Sequence, residues 1–471
     1  MSEVFLSLVE AAEQVRSKKI SPRELVEGTL QRIERLNPRL NAYITVQEQE
    51  AREEASRLEK ELMQGKVRGP LHGIPIAVKD NLQTRGTRTT SGSKIFAEWI
   101  PDEDATAVRK LKEAGAIIIG KANLHEFAMG ATSENPHYGV IRNPWNLEKI
   151  PGGSSGGSAV AVAACLAYGA LGTDTAGSIR LPAAMCGITG IKATYGLVSR
   201  HGCFPFSWSL DHVGPMARTV KDTAVLLEVI AGYDERDPSS CTGRYDLAGF
   251  RSREDLQGVR LGLMKKYLFE GMDPAVGQVI DRAIERLREL GAEIVSLELS
   301  GLDEALQSLR VIAQAEVFSI HEPLLEKFAD LYGDDVKFRF RFGRQQTAAA
   351  YLNAQRIRRR FIAHAKEVLA NVDALLGPTN VRQPYTIGTV PPEEAINNMF
   401  TLGKTPLANI LGFPSLTIPC GFTEDGLPVG LQLIGKPFSE KRLVEIADCY
   451  ERTEKWVANL IEMNRNMGER T

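Results

Sequence analysis

Two clusters of glycine and serine stand at either end of one apolar run between Pro151 and Pro182. The first covers Gly152–Ser158 and reads G-G-S-S-G-G-S, and the second covers Thr173–Ser178 and reads T-D-T-A-G-S. A serine hydroxyl can attack a carbonyl carbon when a nearby base removes its proton, and backbone N–H groups of small residues can bind the resulting oxyanion. The spacing therefore predicts that both loops meet in one active site.

Two other reactions could use the first cluster. Gly152–Gly156 matches G-x-S-x-G, the nucleophile elbow of esterases with a Ser-His-Asp triad, but an elbow directly follows an apolar strand. The residues before Gly152 read R-N-P-W-N-L-E-K-I-P. The candidate bases of this alternative are His321 and His364. A phosphate-binding loop is disfavoured because the cluster lacks a G-K-[ST] ending.

A lysine is the other candidate base. Lys79 ends the apolar stretch Gly73–Val78, which predicts a buried strand. Burial lowers the pKa of a lysine from its reference value of about 10.4, and a neutral amine can take a proton from a serine hydroxyl. An ordinary surface lysine at a strand end is the alternative explanation. The T-D-T-A-G-S run likewise predicts either an oxyanion hole or only a tight turn.

Alternating strands and helices position these loops. The periodicity predicts a helix over 157–168 with a short strand before Thr173, and a last helix over 439–455. A strand, helix and strand are predicted at Val259–Met264, Ala275–Leu290 and Glu293–Leu297, and a hairpin at Leu416–Gly421 and Val429–Ile434. This alternation predicts an α/β fold, with helices on both faces of a mostly parallel or mixed sheet.

The composition excludes several classes of protein. The 471 residues carry a formal charge of -2 and are 43% hydrophobic, which gives no reason to expect nucleic acid or a membrane as a partner. Six cysteines without C-x-x-C spacing predict neither a disulfide framework nor a metal site. The first ten residues, M-S-E-V-F-L-S-L-V-E, do not resemble a signal peptide, so a cytoplasmic enzyme is expected.

The stretch G-G-S-S-G-G-S-A at 152–159, with G-T-D-T-A-G-S-I-R-L-P-A-A at 172–184, resembles the amidase signature family of serine hydrolases. The resemblance continues in order through G-P-L-H-G-I-P-I-A-V-K-D-N at 69–81, N-L-H-E-F-A-M-G at 123–130, S-L-D-H-V-G-P at 209–215 and P-V-G-L-Q-L-I-G at 428–435. It implies the amidase signature fold, a large, mixed, twisted sheet covered by helices. One domain is expected over 1–471, with peripheral helices at 1–65, the signature core at 66–220 and the remaining sheet and substrate-side helices at 221–471.

The resemblance also implies roles for individual residues. Lys79 is the base, Ser154 the bridging serine and Ser178 the nucleophile of a Ser-Ser-Lys triad, and the peptide bond between Gly153 and Ser154 is cis. Ala176 stands where glycine is commonest, although its backbone N–H is kept. The implied oxyanion hole is the backbone N–H groups of Thr175, Ala176, Gly177 and Ser178, and the implied supporting residues are Gly153, Ser155, Asp174 and Arg180. No metal and no organic cofactor is expected.

The expected reaction is hydrolysis of a carboxylic amide or carbamate through an acyl-enzyme on Ser178. The alternative within the family is the glutaminase subunit of a tRNA-dependent amidotransferase, which supplies ammonia to a partner subunit. Leu324 stands at the tyrosine expected in that glutaminase, and Leu402-Gly403-Lys404 replace an acidic residue before Thr405. Arg358 is the candidate match for its glutamine-binding arginine. These departures favour a stand-alone amidase.

Four apolar residues near the quoted motifs are candidate walls of the substrate pocket. They are Met129, Phe204, Phe206 and Trp208. An apolar pocket suits aryl or alkyl amides, although ordinary core packing explains the same residues. The expected partners are a small-molecule amide substrate and, where the chain associates, a second copy in a homodimer.

Overall fold

The computed structural model describes residues 3–243, 247, 250–395 and 397–469. Within these residues the strands are β1 (Tyr43–Val46), β2 (Pro75–Lys79), β3 (Ile117–Ala122), β4 (Glu134–Asn135), β5 (Gly139–Val140), β6 (Gly169–Asp174), β7 (Thr189–Lys192), β8 (His212–Ala217), β9 (Arg260–Leu263), β10 (Glu293–Ser296), β11 (Ala374–Pro378), β12 (Ser415–Phe422) and β13 (Pro428–Gly435).

The helices of the same residues surround these strands. They are α1 (Leu8–Arg16), α2 (Pro22–Leu40), α3 (Glu48–Met63), α4 (Thr106–Glu113), α5 (Gly156–Ala163), α6 (Arg180–Cys186), α7 (Val220–Ile230), α8 (Lys265–Leu268), α9 (Pro274–Glu289), α10 (Leu302–Phe328), α11 (Asp334–Arg344), α12 (Ala348–Val368), α13 (Pro392–Ala395), α14 (Asn398–Thr401), α15 (Pro406–Leu411), α16 (Glu440–Glu451) and α17 (Trp456–Glu469). No helix of the described part of the chain is both long and apolar enough to cross a bilayer.

Eleven of the strands form one mixed sheet in the order β1-β3-β2-β6-β8-β7-β12-β13-β11-β9-β10. The β3-β2-β6 and β11-β9-β10 neighbours are parallel and the pairs between β6 and β11 are antiparallel. The predicted strand, helix and strand are confirmed as β9, α9 and β10, and the hairpin as β12 and β13. The α/β class and the mixed sheet are therefore confirmed.

Side chains alternate between two buried layers on the sheet faces, because successive strand residues point to opposite sides. Ile76 and Val78 of β2 belong to the cluster that contains residues of α1, α4, α7, α9 and α16, whereas Ala77 belongs to the cluster of α2, α3, α5 and α6. Leu375 of β11 packs in a third cluster with α10, α12 and α15. Helices thus cover both faces, as the sequence predicts.

Two predicted helix boundaries are wrong. The helix predicted over 157–168 ends at Ala163, because the chain turns through Cys165 at a φ of 55° and enters β6 at Gly169. The helix predicted over 439–455 ends at Glu451, and the separate helix α17 follows it. Leu460 of α17 packs in the cluster of α2 and α5, so this last helix covers the layer that contains the apolar run.

The parallel pairing of β2 and β6 brings the two chemistry-bearing segments to one edge of the sheet. Ile76 pairs with Gly169 and Val78 with Leu171, so both strands end at the same edge. Lys79 is the last residue of β2. Ligand sites of α/β sheets form at the carboxyl ends of parallel strands, and this edge has that position.

Helix α5 approaches its neighbours at backbone distance. A Cβ atom added at Gly157 would lie 2.3 Å from the carbonyl oxygen of Asn123 and 2.5 Å from that of Ala42. The Gly157 N–H donates to the Asn123 oxygen at 3.0 Å. Only glycine fits this contact, and the contact fixes the start of α5, which follows the first glycine–serine loop.

We predict that Gly157→Ala destabilises the protein by about 1–3 kcal/mol, the usual cost of overpacking a rigid site. Gly277→Ala is the matched control, because a Cβ there, near the N-terminus of α9, meets Met272 Cε at 3.4 Å and no other described atom within 4 Å. That control is expected to be neutral or stabilising by up to about 1 kcal/mol. Thermal unfolding of both variants measures the difference, and equal melting temperatures contradict the prediction.

Candidate active site

The amine of Lys79 lies inside the protein with two hydroxyl partners. The residue is fully buried, and Nζ lies 2.7 Å from Ser154 Oγ and 2.7 Å from Thr173 Oγ1. Burial lowers the pKa of Lys79 to about 7, against the weaker opposing effects of Cys203, Asp174 and Asp211. A large fraction of the amine is therefore neutral at pH 7 and can accept the Ser154 hydroxyl proton.

The first loop is tied to the second by Ser155. The Ser155 N–H donates to the Ser178 carbonyl at 3.2 Å. Its Oγ contacts both the carbonyl oxygen and the N–H of Thr173, each at 3.2 Å. The peptide bond between Gly153 and Ser154 is cis. These bonds place Ser154 between Lys79 and the second loop.

Ser178 is the last residue of the second loop and borders a cleft. It lines the cleft together with Thr175 and Ala176, and α6 begins two residues after it. Among the described residues, Ser178 Oγ is not hydrogen bonded to Ser154 Oγ. Catalytic hydrogen bonds often tighten only in the substrate complex, so this geometry is compatible with a relay between the two hydroxyls.

The second loop contains backbone N–H groups without a hydrogen-bond partner among the described residues. No hydrogen bond within the described chain uses the N–H groups of 175–178. Gly177 has a φ of 136°, and a Cβ there would overlap Thr405 Oγ1, which donates to the Ala176 carbonyl at 2.7 Å. Ala176 is not in a positive-φ conformation, so its methyl group causes no backbone strain. Four free donors beside one serine are the arrangement that binds an oxyanion.

A buried ion pair holds the base of this loop. Arg180 donates to Asp174 through Nε and Nη2, both at 3.1 Å, and to the Thr405 carbonyl at 2.9 Å. Burial alone would raise the pKa of Asp174, but Arg180 and the Asn409 amide outweigh burial and hold the pKa below its ordinary range. The pair therefore stays charged, and it connects the loop to the segment that precedes α15.

Sequence reasoning missed Asp211 as part of the site. Its Oδ1 accepts from Thr175 Oγ1 at 2.6 Å, and its Oδ2 accepts from the N–H groups of Phe206 and Ser207 at 2.8 and 2.9 Å. Burial raises the pKa of Asp211 to about 6. An acidic residue in the quoted motif S-L-D-H-V-G-P was the available signal, and its contacts join the oxyanion loop to the cleft wall.

The cleft beside Ser178 holds about 120 Å³ and has mostly apolar walls. Met129 and Phe206 line it, as the sequence predicts. Phe204 lies outside it, because its ring packs on Phe96 and Phe127 at centroid distances of 5.4 and 5.1 Å. Trp208 also lies outside it: 43% of the residue is exposed, and it lines a separate surface depression.

Two arginines in this cleft were not predicted. Arg310 of α10 stacks on the Phe400 ring at 4.1 Å, and Arg339 of α11 lies 4.0 Å from the Asp335 carboxylate. The Nε atom of Arg339 is buried without a hydrogen-bond partner in the described structure. No Asp or Glu is among the described residues that line the cleft. The F-R-F-R-F segment around Arg339 gave no signal, because periodicity does not show which arginine meets the site.

The remaining candidate residues lie elsewhere. His321 is enclosed by aromatic rings and contacts Tyr332 Oη at 2.8 Å, and His364 contacts Ser300 Oγ at 2.9 Å, so the structure does not assemble the Ser-His-Asp alternative. Arg358 donates to the Ile410 and Ser209 carbonyls and does not line the cleft. The described residues contain no group of three His, Cys, Asp or Glu placed to bind a metal ion.

A family model described as "Amidase" matches residues 24–444 of the chain. The A subunit of the glutamyl-tRNA(Gln) amidotransferase of Carboxydothermus hydrogenoformans is 41% identical, over 97% of this chain and 99% of that protein. The corresponding protein of Methylococcus capsulatus is 40% identical, over 96% of this chain and 97% of its own length.

Solved structures agree with the family match. The native peptide amidase of Stenotrophomonas maltophilia is 34% identical, with a TM-score of 0.84 over 95% of this chain and 96% of its own. Because the family model covers most of the chain and full-length relatives exceed 30% identity, the chain belongs to the amidase signature family of enzymes that hydrolyse C–N bonds of amides.

Proposed function

We propose that Ser178 is the nucleophile of an amidase, Ser154 the proton relay and Lys79 the base. The observation that carries this proposal is a buried lysine, 2.7 Å from Ser154 Oγ, at a site where four N–H groups of the Ser178 loop have no hydrogen-bond partner among the described residues. The lysine supplies a base near neutral pH, and the free N–H groups supply the binding site for negative charge.

In the first half of the reaction, Ser178 Oγ attacks the amide carbonyl carbon. Its proton passes to Ser154 Oγ while the Ser154 proton passes to Lys79 Nζ. The negative charge that develops on the carbonyl oxygen is bound by the N–H groups of 175–178. Protonated Lys79 then returns a proton through Ser154 to the leaving nitrogen, and the C–N bond breaks.

Water completes the cycle by the same relay. It attacks the acyl-enzyme carbonyl and loses a proton through Ser154 to Lys79, and the proton returns to Ser178 Oγ as the ester bond breaks. The acid product leaves and the starting protonation states are restored. Every proton moves between groups of this chain, the substrate and water.

The substrate class follows from the charge of the cleft. Arg310 and Arg339 place two guanidinium groups in apolar walls, while no carboxylate lines the described cleft. An apolar environment strengthens the attraction of a cation for an anion, and guanidinium groups match carboxylate geometry. We propose a small amide whose acyl chain carries a carboxylate.

The named relatives favour a second candidate function, that of a glutamine-hydrolysing subunit, over that of a stand-alone amidase acting on apolar amides. The A subunits of glutamyl-tRNA(Gln) amidotransferases match this chain over nearly their whole length, which supports a glutamine-hydrolysing protein that acts with a partner. Glutamine carries the carboxylate that the cleft suits. Its α-ammonium group would lack a counter-charge, because Leu402-Gly403-Lys404 stand where an acidic residue is expected before Thr405.

Ser178→Ala is expected to lower amidase kcat by at least about a thousandfold without changing thermal stability, because the oxyanion hole alone leaves only residual catalysis. Ser158→Ala is the matched control: its hydroxyl donates to the Leu171 carbonyl inside the same glycine–serine cluster. Labelling with a serine-directed phosphonate measures the nucleophile. Labelling of Ser178→Ala at the wild-type rate would assign the nucleophile elsewhere.

The pH profile is expected to rise with pH through about 7 and level off above it, because only neutral Lys79 accepts a proton. Lys79→Met should remove this limb and lower kcat/KM by several orders of magnitude. Lys110→Met serves as the control, since Lys110 donates to the Ala231 carbonyl at a distant surface. Full recovery of Lys79→Met activity at pH 10 would make the lysine a structural residue only.

Three amides of matched length test the substrate class. Glutaramate carries a carboxylate without an amino group, glutamine carries both, and pentanamide carries neither. We expect kcat/KM to be at least about tenfold higher for glutaramate than for pentanamide, the effect of one charge-assisted hydrogen bond. We also expect glutaramate to exceed glutamine. Efficient hydrolysis of glutamine alone, in the presence of a partner protein, would support the second candidate.

A further inference from the structure

His125 and Asp335 form a contact between the quoted N-L-H-E-F-A-M-G segment and the first turn of α11. His125 Nε2 lies 2.7 Å from Asp335 Oδ2, and the two side chains are only 4% and 18% exposed. Burial would raise the pKa of Asp335, but His125 and, more weakly, Arg339 hold it below its ordinary value. The Asp335 carboxyl is therefore negatively charged.

Arg339 follows Asp335 by one helical turn, at the spacing that favours a direct ion pair. Its Nε lies 4.0 Å from the same Oδ2 atom that contacts His125, so the two charges attract each other at the outer limit of an ion pair, but this Nε forms no hydrogen bond to a described residue. In a buried environment an Asp–Arg pair at full contact is strongly attractive. The carboxylate oxygen is used by His125 instead, and Arg339 is left open to the cleft.

The position of His125 is fixed from both sides. Its backbone N–H donates to the Ser154 carbonyl at 3.2 Å, and its ring packs so closely that a Cβ at Gly130 would lie 2.3 Å from ring carbon Cε1. The next residue, Glu126, accepts from the Gly333 N–H at 2.8 Å, directly before α11. The segment thus holds both the Asp335 side chain and the start of the helix that carries Arg339.

We propose that His125 is a positioning residue that determines substrate specificity: it holds the Asp335 carboxylate away from Arg339 and so keeps that guanidinium available to a carboxylate on the substrate. This inference rests on the carboxylate-bearing substrate proposed above. It adds that Arg339 has no hydrogen bond to Asp335 because His125, whose backbone contacts Ser154, takes the hydrogen bond of that carboxylate oxygen. Without the histidine, Asp335 would form a hydrogen-bonded ion pair with Arg339 and compete with the substrate carboxylate.

The experiment measures the ratio of kcat/KM for glutaramate to kcat/KM for pentanamide, which cancels a general loss of activity. His125→Phe keeps a ring but removes the donor, and the ratio is expected to fall about tenfold through a higher KM for glutaramate. Adding Asp335→Asn to His125→Phe removes the competing charge. The double variant is expected to recover the ratio to within about twofold of Asp335→Asn alone.

Arg339→Gln separates the two proposals. If this variant keeps the wild-type ratio, Arg339 does not bind the substrate carboxylate and the proposed substrate class fails. If it abolishes the preference while His125→Phe keeps the wild-type ratio, the role of His125 alone is overturned. Should His125→Phe not fold, Asp335→Asn still decides: an unchanged or higher ratio supports the inference, and a lower ratio overturns it.

Discussion

The removal of one amine from water is the constraint on which the active site depends. Lys79 lies at the end of a strand that is buried on both faces, and burial lowers its pKa from 10.5 to about 7. This change means that burial disfavours the protonated amine, relative to the neutral one, by about 5 kcal/mol more than water does. Two hydroxyl groups satisfy Nζ without adding a charge that would oppose burial. The burial of Lys79 without a hydrogen-bonded carboxylate among the described residues therefore suits the role of base proposed for it.

A buried ion pair lies at the end of the neighbouring strand β6, where it stabilises the loop that contains Ser178. Asp174 and Arg180 are both fully buried and stay charged because each satisfies the other and neighbouring polar groups. Removing one member of such a pair typically costs about 3–5 kcal/mol. The Arg180 contact with the Thr405 carbonyl, and the Thr405 contact with Ala176, connect the oxyanion loop to α15. Backbone N–H groups can remain free in 175–178 because side chains elsewhere hold the loop.

The sequence predicted those parts of the molecule that short-range patterns determine. Glycine and serine spacing located the two loops, and period-two and helical patterns located β2, β9, α9 and the final hairpin. The end of α5 was missed because a turn at Cys165 interrupts an apolar run without a glycine or proline to mark it. Arg310 and Arg339 were missed because they reach the cleft from α10 and α11, more than 130 residues after Ser178. Such contacts depend on helix packing angles, which periodicity does not contain.

The residues proposed to carry out the reaction and those proposed to recognise the substrate come from different parts of the chain. The proposed base, relay, nucleophile and oxyanion donors all come from the segment between β2 and α6, where Gly157 has no room for a Cβ atom. The arginines of the cleft wall come from α10 and α11, which follow this segment by more than 100 residues. The His125 segment is the exception, because its backbone contacts the Ser154 carbonyl and its ring contacts Asp335. The His125 segment thus contacts both the loop of Ser154 and the helix that carries Arg339. Arg339 is the residue proposed to bind the substrate carboxylate.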